Sequence, residues 1–157
     1  MYGAKYSRPM GGLAQPLEHV IGANSEVFAV GDVVCFASGF LEVVDSATAD
    51  RPFGICQKAG TMAADNQTVA QVTLPVIPLG MDDQFEMDFD ADAALANQGQ
   101  FFQLNTGGTG AQTVDLGSAS DTVGQVVLVK LDPRGEGDLL RGLFRIALPE
   151  MAFEPET

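Results

Sequence analysis

Short apolar runs alternate with turn-forming residues along most of the chain. In EVFAVGDVVCFASGFLEVV (26–44), three such runs are separated by Gly31-Asp32 and by Ser38-Gly39. This spacing predicts antiparallel hairpins, because glycine accepts the positive φ that tight two-residue turns need. The pattern therefore predicts an all-β domain, built as a compact barrel or sandwich. Further strands are expected at 52–59, 68–80, 84–92, 100–104, 113–117, 121–131 and 139–148.

Proline and glycine refine this prediction in two places. Pro75 and Pro78 cannot donate to a strand ladder, so the strand at 68–80 is expected near a sheet edge. The stretch ADAALANQG (91–99) predicts one or two helical turns that end at Gly99. Little other helix is expected.

The stretch QFEMDFDAD (84–92) alternates strictly between apolar and acidic residues. Phe85, Met87 and Phe89 occupy odd positions, and the even positions carry Glu86, Asp88, Asp90 and Asp92. Such alternation predicts a half-buried strand whose outer face consists of carboxylates. Like charges on one face repel one another, so the row needs screening. Three explanations stay open: a solvated face, a metal site, or a surface for a basic partner.

Residues 1–24 differ in character from the body that follows them. Their Gly and Pro content disfavours a regular element, yet they are too apolar for a plain disordered tail. We therefore expect an extended, irregular N-terminal arm at 1–24, a β domain at 25–149 and a short acidic tail at 150–157. The arm either docks on another surface or orders only against its own domain.

Composition limits the class of partner. The 157 residues suit one domain with its own core, and the formal net charge is −13. Nucleic acid and anionic membranes are therefore not expected as partners, since both are bound through Lys and Arg clusters. No Lys or Arg occurs between Lys58 and Lys130, whereas Lys5 and Arg8 make the N-terminal arm basic. No run is long enough to span a membrane or resembles a secretory signal, so synthesis in the cytoplasm is expected.

Groups for catalysis or for metal binding are sparse in the sequence. His19 is the one histidine, and Cys35 and Cys56 lie in apolar runs, where buried free thiols are expected rather than activated thiolates. The acidic stretch lacks the Gly and Glu positions of an EF-hand loop. We therefore expect no enzymatic activity, no cofactor and no metal site.

Several motifs together resemble the head decoration, or cement, proteins of tailed bacteriophages. These are the Gly-Asp turn of VFAVGDVVCF, RPFGICQKA, DQFEMDFDADAALANQGQFFQL, DTVGQVVLVKLDP and the closing GLFRIAL, in this order across residues 26–148. The resemblance implies a β-tulip-like or barrel-like domain. It also implies a homotrimer bound to the major capsid protein, on the outer surface of an icosahedral capsid in the virion, which it stabilises.

The resemblance also implies a role for the arm. In such proteins the arm often lies on the capsid, which makes candidates of Tyr2, Lys5, Tyr6, Arg8, Met10, Leu13 and Leu17. Deletion of residues 1–21 is then expected to weaken attachment while leaving the β body folded. The alternatives are another virion β protein, such as a fibre, spike or tail component, and a calcium- or glycan-binding β module.

Overall fold

The all-β prediction is confirmed by the computed structural model, which describes residues 4–8, 17–46, 50–106, 111–132 and 140–147. Helix in these ranges is limited to a π-helical turn at Asn66–Ala70 and a 3-10 turn at Leu95–Asn97. None of the described helical segments has the length and apolar composition needed to cross a bilayer. The strands are β1 (Lys5–Arg8), β2 (Glu18–Ile21), β3 (Val27–Phe28), β4 (Val33–Ala37), β5 (Phe40–Val43), β6 (Gly54–Cys56), β7 (Gly60–Thr61), β8 (Thr73–Pro78), β9 (Gln84–Asp88), β10 (Phe101–Asn105), β11 (Thr113–Ser120), β12 (Val126–Leu131) and β13 (Arg141–Ile146).

The strands form three antiparallel sheets. The largest has the order β1-β9-β13-β12-β10-β11, the second has the order β2-β8-β6-β4-β5, and β3 pairs with β7 alone. Single parallel bridges, Phe89 to Val114 and Gly22 to Leu41, bring distant strands of each larger sheet together. The described strands therefore form curled sheets, and no continuous ladder closes either large sheet into a barrel.

The second sheet lies between two apolar clusters. On β4, Val33 and Cys35 belong to the larger cluster, and Val34 belongs to the smaller one, as expected when successive side chains point to opposite faces. The larger cluster also contains the inward side chains of the six-stranded sheet, among them the edge-packed rings of Phe89, Phe102 and Phe144. The smaller cluster includes Phe28, which lies on β3, and Met62, which follows β7.

Two buried glutamine side chains connect segments of the two larger sheets. The Gln112 amide donates to the carbonyls of Val33 and Val44, at 3.3 and 2.7 Å, and its oxygen accepts from the Val33 N–H at 2.8 Å. The Gln125 amide donates to the Asp45 carbonyl at 2.7 Å and accepts from the Leu104 N–H at 2.8 Å. Because buried backbone groups need partners, these amides fix the relative position of the segments that they join.

The π-helical turn is held by a third buried amide. Asn66 is fully buried, and its side chain donates to the carbonyl oxygens of Gly22 and Val72 and accepts from the Val72 N–H. Residues 68–70, expected as the start of a strand, therefore lie in this turn, and β8 begins only at Thr73. Pro75 pairs with His19 of β2, so β8 is the second strand from the edge, near the sheet edge as expected.

The hairpin predictions are confirmed in one case and wrong in the other. Ser38 and Gly39 both have positive φ and join β4 to β5, as a type I′ hairpin turn requires. A turn also forms at Gly31-Asp32, but β3 does not pair with β4. Instead, Val27 and Phe28 pair with Thr61 and Gly60 of β7.

Residues 1–24, expected as an irregular arm, contain two short strands. Within residues 1–24, Lys5–Arg8 forms the edge strand β1 against β9, and Glu18–Ile21 forms the edge strand β2 against β8. The Ala4 N–H also bonds to the Gly31 carbonyl. Deletion of residues 1–21 would thus remove one strand from each large sheet, so an intact body is no longer expected after that truncation.

Candidate docking face

The charged residues that lie on strands are unevenly distributed between the two large sheets. Strands of the six-stranded sheet contain five of the eight Lys and Arg residues but only three of the 21 Asp and Glu residues. Strands of the five-stranded sheet contain Glu18 and Glu42 and no Lys or Arg. A chain with a formal net charge of −13 therefore has one sheet that is locally basic.

The basic side chains of β12 and β13 lie on the outward surface of this sheet. On β13, Gly142 and Phe144 are buried, whereas Arg141, Leu143 and Arg145 alternate with them and are at least partly exposed. Alternation places these three side chains on the face opposite the core. We call this surface the docking face; in the described residues it comprises Glu86, Asp88, Phe101, Val127, Lys130, Arg141, Leu143 and Arg145.

Strand register sets the order of side chains across the docking face. Val127 lies opposite Phe101 on one side and opposite Arg145 on the other, and Leu143 lies between Lys130 and Glu86. Directly opposite side chains are close enough to touch, so Arg145 adjoins Val127 and Lys130 adjoins Leu143. Arg145 and Lys130 are exposed, and neither makes an ion pair with another described residue. The face thus combines two exposed basic side chains with the half-buried Phe101 and Leu143, whereas Val127 is buried.

A shallow groove of about 220 Å³ runs along the Arg145 end of the docking face. Its volume is below the roughly 300–1,000 Å³ of typical small-molecule sites. The groove therefore suits one or two side chains of a protein better than a cofactor. Its lining consists of Met81, Asp82, Phe101, Val127, Arg145, Ile146 and Ala147.

Two carboxylates of the acidic row in QFEMDFDAD, those of Asp88 and Asp90, bind groups of the chain itself. The inward positions Phe85, Met87 and Phe89 are buried as predicted. Asp88 is also buried, and its Oδ1 lies 2.8 Å from the Nε of Arg141 on the neighbouring strand. The hydrogen bond to Asp88 is the main cause that raises the pKa of Arg141. The expected row of four solvent-facing carboxylates is therefore wrong at Asp88.

The end of this acidic stretch leaves the strand altogether. β9 ends at Asp88, and Asp90 accepts hydrogen bonds from the Leu116 N–H and from the Asn105 side chain, each at 3.0 Å. The described residues include no group of three or more His, Cys, Asp or Glu side chains arranged to hold a metal ion. At Asp88, the basic partner of this acidic stretch is therefore Arg141 of the same chain.

The candidate arm residues fall into three groups. Lys5, Tyr6 and Arg8 lie on β1, where the register places Lys5 opposite Glu86 and Arg8 opposite Gln84. Leu17 precedes β2, and about half of its surface is exposed. The remaining candidates, Tyr2, Met10 and Leu13, lie outside the described residues. The two basic residues of the N-terminal arm, Lys5 and Arg8, are therefore on the same sheet as Lys130, Arg141 and Arg145.

The two thiols are free and buried, as predicted. Burial, reinforced by Asp50 and Glu42, raises the pKa of Cys35 to about 12. Burial also raises the pKa of Cys56, whose thiol donates to the Lys58 carbonyl at 3.1 Å. Protonated, enclosed thiols are poor nucleophiles, so their environment is that of core residues.

The docking face was not predicted from the sequence, although a signal for its basic part is present. RGLFRI (141–146) alternates Arg, Leu and Arg with Gly and Phe, which is the pattern of a strand with basic and apolar residues on its outer face. Comparison of the chain with protein-family models, with curated proteins and with solved structures gave no match.

Proposed function

We propose that this chain is a capsid decoration protein, which binds the outer surface of an assembled tailed-phage capsid and stabilises it. The observation that carries the proposal is the docking face: a basic and apolar surface on an otherwise acidic molecule. Trimeric binding to the major capsid protein is part of the proposal and rests on the family resemblance. In the proposed complex, the docking face contacts an acidic and apolar patch on the capsid surface.

The proposed mechanism requires no covalent chemistry. A protein that binds the assembled shell, and not its dissociated subunits, shifts the equilibrium towards the shell by mass action. Two sheets tied together by buried amides lose little conformational freedom on binding, so more of the contact energy appears as affinity. Repeated contacts on a symmetric lattice add through avidity.

Charge segregation also supports a defined orientation on the shell. Complementary charge raises the rate of association and disfavours wrong orientations. The acidic remainder of the molecule then faces water, where like charge keeps densely packed neighbours soluble. The proposal therefore predicts that attachment weakens as ionic strength rises, because exposed charge pairs are screened by salt.

The test is co-sedimentation with empty, expanded capsids of the cognate phage. We expect the native chain to bind stoichiometrically and to raise the temperature at which the capsids dissociate. The double variant K130E/R145E should lose most of this binding, because it reverses two exposed charges of the docking face.

The matched control is R51E/K58E, which reverses two exposed charges on either side of β6 in the other large sheet. Circular dichroism and thermal unfolding should show that both variants fold. Equal binding by native and K130E/R145E protein would reject the docking face as the attachment surface. A failure of the native chain to bind any cognate capsid would reject the proposed function itself.

A further inference from the structure

The groove at the Arg145 end of the docking face has a concave apolar lining. Val127 and Ala147 are buried in this lining, and Phe101 and Ile146 are half-buried. The groove has a volume of about 220 Å³ and is open to solvent on the outer side of the sheet. It can therefore accept an apolar side chain of another molecule without a change in the core below it.

A hydrogen-bonded turn carries an exposed apolar side chain to the rim of this groove. The turn joins β8 to β9: the Asp83 N–H donates to the Gly80 carbonyl at 3.2 Å, and the buried Asp83 carboxylate accepts from the Gly80 N–H at 2.7 Å. Met81 and Asp82 lie between these two residues and line the groove, and Met81 is 58% exposed. Because the turn is already fixed, Met81 can pack against another surface with little loss of backbone freedom.

The groove carries one charge of each sign. Arg145 and Asp82 are both exposed, and neither makes an ion pair with another described residue. A partner with charges of one sign would be attracted by one of these side chains and repelled by the other. A partner that satisfies both must present an acid, a base and an apolar side chain close together. The same surface of a second copy of this chain presents all three.

Two-fold symmetry would bring these groups into contact. In an isologous contact, residue i of one copy meets residue j of the other, and j meets i. Met81 and the groove lie side by side, so an axis between them places each Met81 at the groove of the other copy and each Asp82 near the opposite Arg145. The formal net charge of −13 disfavours contact between acidic surfaces of two copies. Contact is therefore favoured at the surface with exposed Lys130 and Arg145.

We propose that two copies of the chain associate about a two-fold axis at this groove. Met81 of each copy packs against Phe101 and Val127 of the other. Two crossed ion pairs join Asp82 of one copy to Arg145 of the other. A contact of this size is weak and forms at micromolar to millimolar concentration.

The pairing goes beyond the proposed function, because it concerns the free chain. It is separate from the contacts of the proposed trimer, since a three-fold ring joins two different surfaces of each copy. The groove belongs to the docking face, so pairing in solution and attachment to a capsid compete for the same surface.

Sedimentation velocity of the full chain at about 0.15 M salt, where long-range repulsion is screened, measures the association. We expect the average mass to rise with concentration towards twice its value at high dilution. M81D, D82K and R145E should each raise the dissociation constant about tenfold or more, because every substitution occurs twice across a two-fold axis. The controls M81L, D92K and R51E should change it much less, since M81L keeps the apolar side chain and the other two reverse exposed charges outside the groove lining.

A mixture of two variants tests the crossed ion pairs. D82K and R145E should each self-associate poorly, because like charges then face each other across the axis. In an equimolar mixture of the two variants, both pairs join opposite charges, so association should return. The double variant D82K/R145E should also associate with itself, because the exchange of charges restores both pairs.

Three outcomes would overturn the inference. An average mass that does not change with concentration would show that copies do not pair at this surface. Equal association of the native chain, M81D, D82K and R145E would place the contact elsewhere. Poor association of both the mixture and D82K/R145E would reject the crossed ion pairs. Circular dichroism of each variant checks that it is folded, and none of these outcomes decides whether the native chain binds a capsid.

Discussion

The guanidinium of Arg141 and the carboxylate of Asp88 face each other across β13 and β9, with 2.8 Å between Nε and Oδ1. The Asp88 side chain is 11% exposed, whereas that of Arg141 is 32% exposed. The pair is thus asymmetric, because the arginine side chain is about three times as exposed to water as the aspartate side chain. Loss of one partner should not cost the same as loss of the other.

We expect R141M to lower the free energy of unfolding by about 2 kcal/mol, because the buried carboxylate loses its charged partner. D88A should cost about half as much, because the long arginine side chain can turn towards solvent. Urea denaturation of both variants measures the difference. An equal or larger loss in D88A would contradict the asymmetry.

Gln112 provides a test of the connection between the sheets. Q112L keeps approximate size but leaves the Val33 N–H and the Val33 and Val44 carbonyls without the bonds that the amide makes. We expect a loss of about 3 kcal/mol, since an unsatisfied buried polar group costs about 1–3 kcal/mol. The control is Q57L, whose amide donates, among the described residues, to the nearby Ile55 carbonyl alone, and which should lose less than about 1 kcal/mol. Similar losses in both variants, measured by denaturant titration, would count against the proposed role of Gln112.

Gly54 is required by close contact between β6 and β8. A Cβ at this position would collide with the Ile77 carbonyl oxygen and would lie 2.5 Å from Val76 Cγ1. We expect G54A to destabilise the protein by more than about 3 kcal/mol, because backbone on β8 must move. In the control G117A, the added Cβ meets only the Asp115 carboxylate, at 3.1 Å. Thermal unfolding should show a much smaller change in G117A, and a normal melting temperature for G54A would contradict the packing argument.

Glu42 gives the stability a defined pH dependence. Partial burial, followed by the charges of Glu26, Asp50 and Asp45, raises its pKa in the folded protein. The folded state then holds the proton more tightly than the unfolded state does, so the free energy of unfolding falls as pH rises above about 4.3, the usual value for Glu.

The variant E42Q removes this effect. We expect E42Q to melt at a higher temperature than the native protein near neutral pH, with the difference shrinking as pH falls below about 4. Added salt should also reduce the difference, because part of the effect is repulsion between partly exposed charges. A difference that grows on acidification would show that the sign is wrong.

Local patterns were sufficient to predict the fold class and many of the strands. Ser38-Gly39 identifies the β4–β5 hairpin because the turn requires only residues adjacent in sequence. The alternation of Phe85, Met87 and Phe89 identifies their burial for the same reason. The pairing of β3 with β7 was missed because it joins residues more than 30 positions apart, and nothing in VFAVGDVV favours Gly60 over Val33 as the partner.

The π-helical turn and the docking face depend equally on distant contacts. Asn66 stabilises the turn through the Gly22 carbonyl, 44 residues away, whereas the surrounding β-branched residues favour a strand. Arg145 and Val127 become neighbours only through the register of β12 and β13. Their individual strands were predicted, but the surface that they form together depends on sheet order, which alternation does not encode.

The unequal distribution of charge between the two large sheets affects how the protein is oriented as it approaches a binding partner. Net positive charge on the strands of one sheet and net negative charge on the strands of the other contribute to an electric dipole, and an acidic surface exerts a torque on such a dipole before contact. The encounter is thereby biased towards one pose at low ionic strength, and this bias fades as the Debye length contracts below the size of the molecule.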